Sequence, residues 1–360
     1  MKKSVQSSLM AAALLLSATS LSVNAQSVSQ DTARNLRTQS FTGTVTYDGS
    51  GAGTSGSDAA YFGTGSGAVS TGVANAFFGA YTGQNNSTAG RLTFIGFKAG
   101  NANTTGEYNT FVGSSAGFSN TTGRMNIFLG GSTGYYNVSG RLNTFVGYAT
   151  GFNNTTGESN TFFGSNAGFN NTTGQRNTYL GQTAGNNSLT GNGNIFVGYK
   201  AGYKELGSDK LYIANSDTIN PLIHGDFAAK QLVFNGKVGV STSTFPTTVG
   251  GADVSSYKLF VKGGILTEEV RIRTSWADYV FKPEYQLKDL ASVEKYIKEN
   301  GHLPNVPSEK TVQNEGLSLG EIAKIQQEKI EELTLYLIDL KKISEKQQAE
   351  IDQLKRDLNK

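Results

Sequence analysis

The sequence predicts a mainly β protein: a repeat β-solenoid (β-roll) of 17-residue coils, then a small α+β segment and a C-terminal α-helical coiled coil. Three observations support this prediction. A 17-residue unit of the form Asn-Thr-Phe-Val-Gly-x-x-Ala-Gly-x-x-Asn-Thr-Thr-Gly-x-x recurs eight times between Asn75 and Gly202. Two glycines recur at fixed places in every copy. A seven-residue apolar repeat begins at Ile330 and continues to Leu358.

Composition divides the 360-residue chain into six segments. Ser, Thr and Gly dominate before the repeats, and charged residues become frequent only after Trp276. The predicted segments are 1–25 for a signal peptide, 26–58 for a flexible lead-in, 59–203 for the 17-residue repeats, 204–275 for a short-strand β connector, 276–317 for a small chaperone-like α+β segment and 318–360 for the coiled-coil helix.

The N-terminus is typical of a secretory signal peptide. Lys2 and Lys3 supply its basic start, residues 9–21 supply a short apolar core, and small residues precede Gln26. Cleavage is therefore expected before Gln26. A membrane anchor is the alternative, but the apolar run is shorter than the roughly 20 residues that a spanning helix needs. We expect an exported protein, extracellular or at the cell surface, without a membrane-spanning segment once the signal is removed.

The overall composition argues against several classes of function. The net charge is only +3, so no nucleic-acid partner is expected. The chain has no Cys, so neither disulfides nor attachment of a lipid to an N-terminal Cys is expected. His224 and His302 are the only histidines, and a packing or surface role is favoured for His224 over metal binding or catalysis. The sequence thus nominates no catalytic, cofactor-binding or metal-ligating residue, and no cofactor.

The repeat length favours one solenoid coil per copy, because 17 residues are too few for a pair of helices. We expect each coil to contain a short strand, a turn, a second short strand and a second turn. A glycine that recurs at one place in each coil indicates a positive φ or a close backbone approach. The two series are Gly79, Gly96, Gly113, Gly130, Gly147, Gly164, Gly181 and Gly198, and Gly83, Gly100, Gly117, Gly134, Gly151, Gly168, Gly185 and Gly202.

Two adjacent large apolar positions in each coil must point to opposite faces of a strand. The first series is Phe77, Phe94, Phe111, Phe128, Phe145, Phe162, Tyr179 and Phe196, and the second is Phe78, Ile95, Val112, Leu129, Val146, Phe163, Leu180 and Val197. A thin solenoid has one interior, so one series should point outward as a continuous apolar stripe. Burial of that stripe against other copies predicts an oligomer, and cover by the chain's own loops is the monomeric alternative.

The Asn-Thr-Thr-Gly phrases are expected to form turns, with Asn or Gly in the left-handed region. Turn geometry also explains the recurring Asn-x-Ser/Thr sequons at Asn86, Asn103, Asn120, Asn137, Asn154 and Asn171, in preference to glycosylation. Calcium binding is disfavoured because the repeats lack Asp ladders. Ice binding is disfavoured because Val138 and Leu189 interrupt the Thr pairs.

The connector should contain several short strands that continue the stack. Asn235-Gly236 lies between two apolar runs and predicts a hairpin. A second strand pair is expected at 257–261 and 265–272, joined through Gly263-Gly264.

The C-terminal segment is predicted to be largely helical. Apolar spacing indicates a helix over 287–300 that ends at Asn300-Gly301, followed by an extended segment over 302–307. Ser318 and Glu321 have the spacing of a capping box. The heptad a positions are Ile330, Leu337, Ser344, Ile351 and Leu358, and the d positions are Leu333, Leu340, Gln347 and Leu354. A coiled coil is favoured over packing on the chain's own domain, and the polar layer at Ser344 and Gln347 can fix its register.

Three phrases in the last 85 or so residues resemble the C-terminal intramolecular-chaperone domain of endosialidase-type phage tail fibres and related bacterial surface fibres. They are Trp276-Ala277-Asp278-Tyr279-Val280-Phe281, His302-Leu303-Pro304-Asn305-Val306-Pro307-Ser308, and Leu317-Ser318-Leu319-Gly320-Glu321 leading into Lys329-Ile330-Glu331-Glu332-Leu333-Thr334. The repeats resemble the β-roll heads of trimeric adhesins, with a different period and different Phe pairs. The resemblance implies a homotrimer whose C-terminal domain assists assembly.

Some members of that family cut off the chaperone domain with a Ser near its start and a Lys nearby. Their usual start is Ser-Asp followed closely by basic residues, whereas Ser275 is followed here by Trp276-Ala277-Asp278. Self-cleavage is therefore not expected. The function expected from the sequence is a secreted or cell-surface homotrimeric fibre with an adhesive or structural role, whose partners are copies of itself and a surface glycan or cell-surface receptor. The alternative is an enzyme, either a glycan-degrading fibre or a self-cleaving chaperone.

Overall fold

The computed structural model of the protein describes residues 45–273 and 275–359. The predicted signal peptide and the first part of the predicted lead-in therefore lie outside the described residues. The chain forms two compact units that meet in sequence between Gly236 and Lys237. This boundary falls inside the segment 204–275 that composition assigns to the connector.

The first unit is a stack of strands in one sheet, and strands that follow one another in sequence are neighbours in that sheet. Within the described residues the sheet has thirteen strands, of which the first eleven are parallel. They are β1 (Val45–Asp48), β2 (Ala59–Phe62), β3 (Ala76–Phe78), β4 (Thr93–Ile95), β5 (Thr110–Val112), β6 (Ile127–Leu129), β7 (Thr144–Val146), β8 (Thr161–Phe163), β9 (Thr178–Leu180), β10 (Ile195–Val197), β11 (Lys210–Ile213), β12 (Ile223–Asp226) and β13 (Gln231–Phe234). This order confirms the β-solenoid.

Each 17-residue coil contains one three-residue strand, not the two strands expected from the sequence. The register places every strand residue beside the residue 17 positions further along, for example Phe94 beside Phe111. The middle residue of each strand points inward and is fully buried, forming a core column of Tyr61, Phe77, Phe94, Phe111, Phe128, Phe145, Phe162, Tyr179 and Phe196. From Phe77 to Phe196 the ring centroids of neighbouring coils lie 4.5–5.0 Å apart and the rings are stacked.

Buried asparagines stabilise the far side of each coil. The structure shows these buried side chains in place of the left-handed conformation expected for the Asn-Thr-Thr-Gly phrases. Asn86, Asn103, Asn120, Asn137, Asn154 and Asn171 are fully buried, and none of them has a positive φ. From Asn103 onward, each of these side chains donates its amide to the side-chain oxygen of the one in the preceding coil, at 2.6–2.9 Å. We call this set the asparagine ladder. It places the six predicted sequons in the core of the folded coil.

Four corners of each coil adopt positive φ, and only two of them carry the recurring glycine. Gly147 has a φ of 130° and Gly151 a φ of 58°, as the glycine series predicts. The same coil also has Leu142 at 58° and Ala149 at 50°. Non-glycine residues in the left-handed region are uncommon. Their regular recurrence here shows that the stack over-determines the local backbone.

The solenoid ends in an antiparallel hairpin at a different place from the predicted one. β12 pairs antiparallel with both β11 and β13, so the hairpin turn lies at 227–230. The expected hairpin at Asn235-Gly236 does not form, because β13 pairs back onto β12 while Val238–Val240 pairs elsewhere. An ion pair of 2.5 Å between Lys210 and Asp226 joins the ends of β11 and β12.

The second unit begins with two small strand pairs. β14 (Val238–Val240) pairs in parallel with β17 (Leu259–Val261), and β15 (Thr248–Val249) pairs antiparallel with β16 (Ala252–Asp253). The expected pairing of 257–261 with 265–272 is wrong, since residues 265–272 form no strand. The partner of Leu259–Val261 lies about 20 residues earlier in the chain, outside the range that local hairpin patterns can indicate.

Three helices complete the described part of the second unit: α1 (Leu290–Asn300), α2 (Glu309–Glu315) and α3 (Leu319–Leu358). α1 starts later than expected because Asp289 caps it by accepting from the backbone of Ser292 at 2.9 Å. Gly301 ends the helix, as predicted, and the structure places it in the left-handed region. The segment 302–307 turns at Asn305 and is not extended throughout. The Ser318 side chain accepts from the backbone of Glu321 at 3.5 Å, which is half of the predicted capping box.

Candidate assembly surfaces

The outer face of the solenoid sheet carries an apolar column that runs from β2 to β13. The register aligns the residue following each core residue, together with its partners in β12 and β13, into one outer column. Its members are Phe62, Phe78, Ile95, Val112, Leu129, Val146, Phe163, Leu180, Val197, Ile213, Ile223 and Phe234. Phe78, Ile95, Phe163 and Leu180 are each at least 40% exposed. The outward apolar stripe predicted from the sequence is therefore present, and in a single described chain five of its twelve residues are exposed and the other seven are half-buried.

Two edges border this face, and their composition differs. The leading edge is formed by the residue two positions before each strand, and it is apolar in the middle of the stack at Tyr108, Met125 and Leu142. The trailing edge is formed by the residue two positions after each strand. It exposes aromatic rings in every third coil at Phe97, Tyr148 and Tyr199, which are 47–65% exposed. The apolar surface therefore spreads beyond the outer column on both sides.

The repeat array contains few of the acidic side chains that glycoside hydrolysis requires. Residues 75–203 contain six basic and two acidic side chains, a net charge of +4. The two acids, Glu107 and Glu158, lie three coils apart, roughly 14 Å at the usual strand spacing. Paired glycosidase carboxylates stand about 5–9.5 Å apart. Glu158 is moreover engaged with Arg141 at 2.9 Å, so the fold does not bring the two acids into one site.

The second candidate surface is the heptad seam of α3. The apolar a and d residues Ile330, Leu333, Leu337, Leu340, Ile351, Leu354 and Leu358 are 45–86% exposed. The predicted polar layer at Ser344 and Gln347 is also exposed. A 40-residue helix with an uncovered apolar seam has the sequence pattern and the surface of a coiled-coil strand.

The N-terminal third of α3 is anchored in its own unit by a buried polar cluster that the sequence pattern did not indicate. Lys329 forms ion pairs with Glu328 at 3.0 Å and with Glu332 at 2.8 Å. Tyr279 donates to Glu328, and Tyr285 donates to Glu332 at 2.5 Å. Ala277 and Val280 are buried nearby in sequence to Tyr279. One face of α3 therefore packs on its own unit, and the heptad seam on another face stays uncovered. The two alternatives from the sequence, a coiled coil and packing on the chain's own domain, each describe one of these faces.

Burial and hydrogen bonding act in opposite directions on this cluster. Burial by itself raises the pKa of Glu328, but hydrogen bonds from Tyr279 and Lys329 outweigh it and hold the pKa below its ordinary value. The same hydrogen bond to Glu328 raises the pKa of Tyr279 to about 12. Glu331 is also buried, and one of its carboxylate oxygens makes no hydrogen bond to the described residues.

A cavity of about 290 Å³ opens beside α3. Its walls include Leu290 and Val293 of α1, Leu303 of the following turn, and Leu333 and Tyr336 of α3. Leu333 belongs both to the cavity wall and to the heptad seam. The cavity is therefore continuous with the seam and forms part of that surface.

The candidate residues for catalysis or metal binding are not assembled into a site. Ser275 is exposed, and no hydrogen bond joins it to a lysine among the described residues. The His224 ring packs against Tyr212 at 4.9 Å, and the His302 ring lies 5.7 Å from that of Tyr296. Within the same residues, no group of three or more His, Cys, Asp or Glu side chains is arranged to hold a metal ion.

Comparison of the chain with protein-family models, with curated proteins and with solved structures finds no match. No helix in residues 45–273 or 275–359 combines the length and apolarity needed to cross a bilayer. The outer column and the heptad seam are the features of the described residues that bear on function.

Proposed function

We propose that the protein is a secreted or cell-surface fibre that assembles as a homotrimer and serves an adhesive or structural role. The observation that carries this proposal is the outer column, whose apolar residues are exposed or half-buried along the sheet from β2 to β13. Apolar surface of this extent is unusual on a soluble monomer and marks an interaction surface. A second copy of the same stack presents a face of matching length and period.

The heptad seam supports the same proposal from the other unit. Its spacing is that of a helix which associates with copies of itself, and its single polar layer is a device that fixes register. Resemblance of the flanking phrases to the chaperone ends of tail fibres adds the expectation of three copies and of a role in assembly. The predicted signal peptide adds export, and a surface glycan or receptor is the proposed external partner.

Sedimentation of the purified mature chain tests the proposal. We expect the mass of three chains, independent of protein concentration in the micromolar range. A monomer with an intact β signal would refute the assembly and would require cover of the outer column by other segments of the chain.

A further inference from the structure

The two unlike edges of the solenoid face restrict how copies can pack against one another. This inference rests on the proposed self-association and adds the orientation and the pairing of residues. A rung is defined as one strand with its leading-edge and trailing-edge residues. The eight rungs pair Ala74 with Ala80, Arg91 with Phe97, Tyr108 with Ser114, Met125 with Gly131, Leu142 with Tyr148, Ser159 with Ser165, Arg176 with Gln182, and Gly193 with Tyr199.

Symmetry decides which edges meet when two outer faces come together. If the rods are parallel and related by a rotation about a shared axis that runs along them, the leading edge of one copy meets the trailing edge of the next on the same rung. If the rods are antiparallel and related by a twofold axis across them, like edges meet instead. Both arrangements bury the outer column, so the edges must discriminate between them.

The parallel arrangement gives compatible partners on the rungs. Tyr108 faces the small residue Ser114 of the next copy, and Met125 faces Gly131, beside which the Tyr148 ring of that copy lies. Leu142 faces the aromatic ring of Tyr148. Arg91 lies over the Tyr108 ring of its own chain, 5.0 Å from its centroid, and the Phe97 ring that it approaches in the next copy already carries Lys98 of that copy at 5.1 Å. The rung residues themselves bring no two like charges together, and Lys98 is the cation nearest to Arg91 of the neighbouring copy.

In the antiparallel arrangement, with the twofold axis at the middle of the eight coils, side chains of like charge face each other at three places. It brings Arg91 against Arg176 on the leading edge. One residue further from the strands, it also brings Arg124 against Arg141 and Glu107 against Glu158. Juxtaposed like charges disfavour an interface.

We propose that copies of this chain stand parallel, related by rotation about the shared axis, with the leading edge of each packed in register against the trailing edge of the next. Leu142 of one copy then lies against Tyr148 of its neighbour. The exposed aromatic rings of Phe97, Tyr148 and Tyr199, one in every third coil, lie along the trailing edge of that interface.

Cysteine cross-linking tests the pairing without background, because the chain has no native Cys. The test variant carries Leu142→Cys and Tyr148→Cys in one chain, treated with a short thiol-reactive cross-linker after its melting curve is shown to match the wild type. Within one chain the two sites are separated by a strand, on the order of 15 Å. We expect a covalent trimer on denaturing gels from the double variant and only monomer from each single variant.

Two further variants control for register and for local damage. Arg91→Cys with Phe97→Cys repeats the test on another rung and should also give covalent trimer. Leu142→Cys with Tyr199→Cys places the thiols three rungs apart, roughly 14 Å along the stack, and should give monomer.

The possible outcomes separate this inference from the proposed trimer. Covalent dimers from Leu142→Cys or Tyr148→Cys alone would mean that like edges meet, and would overturn the parallel arrangement. If the double variants melt like the wild type and sediment as trimers but form no cross-link on either rung, the pairing of edges is wrong. The proposed trimer is then unaffected. Covalent dimer without trimer from the double variants would support the pairing and refute three copies. A monomeric chain would overturn both.

Discussion

At the scale of the residue, the coils with core residues from Tyr61 to Tyr179 each hold one of two matched pairs of side chains. In the six coils with core residues from Phe77 to Phe162, the residue nine positions after the core Phe is Asn. Where the core residue is Tyr61 or Tyr179, that position is Ser70 or Ser188. Tyr61 donates to Ser70 at 2.9 Å, so the tyrosine hydroxyl occupies space that an asparagine amide fills in the other coils.

The pair at Tyr179 is less well satisfied than the pair at Tyr61. The Tyr179 hydroxyl, the Ser188 hydroxyl and the Asn171 side-chain oxygen are buried and make no hydrogen bond to the described residues. Burial raises the pKa of Tyr179 to about 12, and nearby polar groups of Ser188 and Asn194 reduce this effect only in part. Unsatisfied buried polar groups cost on the order of 1–3 kcal/mol each.

The double change Tyr179→Phe with Ser188→Asn should therefore stabilise the solenoid by about 1–2 kcal/mol. It restores the Phe–Asn pair and supplies an amide that can donate to Asn171, as Asn171 donates to Asn154 at 2.9 Å. Ser188→Asn alone should be destabilising, because the amide competes with the Tyr179 hydroxyl. A double-mutant cycle from urea unfolding measures this coupling. Additive effects of the two changes would show that the pairs are not spatially matched.

Gly147→Ala should destabilise the coil by about 1–3 kcal/mol. The φ of Gly147 is 130°, and a Cβ there would lie 2.8 Å from the carbonyl carbon of Gly164 in the next coil. Gly131→Ala is the matched control, because its Cβ would meet the Tyr148 ring at 3.5 Å and the Ser114 carbonyl oxygen at 4.0 Å, which are ordinary contact distances. Thermal unfolding of both variants checks this, and equal melting temperatures would mean that Gly147 holds no special backbone geometry.

At the scale of the element, the sequence predicted what depends on periodicity and missed what depends on distant partners. The period predicted that Phe111 and Val112 face opposite ways, because adjacent strand residues do, and the structure decides that Phe111 is the one in the core. It did not indicate the burial of Asn120, because an isolated Asn-Thr-Thr-Gly phrase is typical turn chemistry and the amide is satisfied only when coils stack. Nor did it indicate the positive φ of Leu142, since neighbouring coils impose that conformation against local preference.

The predicted assembly surfaces were partly accessible from the sequence for the same reason. The heptad from Ile330 identifies the seam, because the seam is a local pattern on one helix. The anchoring of α3 by Tyr279 and Tyr285 was missed, since these partners lie nearly 50 residues from Glu328 and Glu332. The apolar parts of the leading and trailing edges went unrecognised because their large residues recur only in some coils, whereas the outer column recurs in all of them.

The packing of α3 on its own unit should weaken in acid through Glu328. Its folded pKa lies below its ordinary value, so the carboxylate stabilises the folded state above its unfolded pKa of about 4.3. That contribution is lost as the pH falls through the folded pKa. Glu328→Gln should lower stability at pH 7 and flatten its decline below pH 5.

Urea unfolding of the helical circular-dichroism signal at pH 7 and pH 3.5 measures this effect. Glu345→Gln is the matched control on the same helix, because its pair with Lys341 is exposed and 3.6 Å long, and exposed pairs contribute little. An unchanged pH profile for Glu328→Gln would show that the Tyr279 and Lys329 contacts do not stabilise the folded carboxylate.

At the scale of the whole molecule, assembly should be divided between the two surfaces. Once the helices associate, the docking of the rods becomes effectively intramolecular and loses less entropy. Deleting residues 328–360 should thus lower the yield of trimer on refolding far more than it lowers the stability of trimer already formed. Sedimentation of refolded chains measures the yield, and equal yields would show that α3 is not an assembly device.

Point changes in the seam provide a milder form of the same test. Leu333→Asp with Leu340→Asp places charges at two d positions and should reduce the refolding yield as the deletion does. Lys346→Asp with Gln353→Asp adds the same side chains to an exposed part of the helix away from the seam. The two double variants should differ in their yield of trimer on refolding. Equal yields would show that the added charge on the helix, and not its place in the seam, lowers the yield.

The purified protein should keep its C-terminus, because Ser275 is not followed directly by Asp. Intact mass spectrometry after prolonged incubation checks this expectation. A discrete product that ends near Ser275 and is abolished by Ser275→Ala would establish self-cleavage instead.

The serines at the two ends of the asparagine ladder have a consequence for how this protein can evolve. Asn86 donates to Ser70 at 2.8 Å, and Ser188 follows Asn171 at the other end. Each coil between them offers the same donors and acceptors to its neighbours. An in-frame duplication of 17 codons there inserts a compatible coil and lengthens the rod by about 4.8 Å. Unequal recombination within the gene can therefore adjust the reach of the protein in fixed increments, while both terminal coils and the helix stay unaltered.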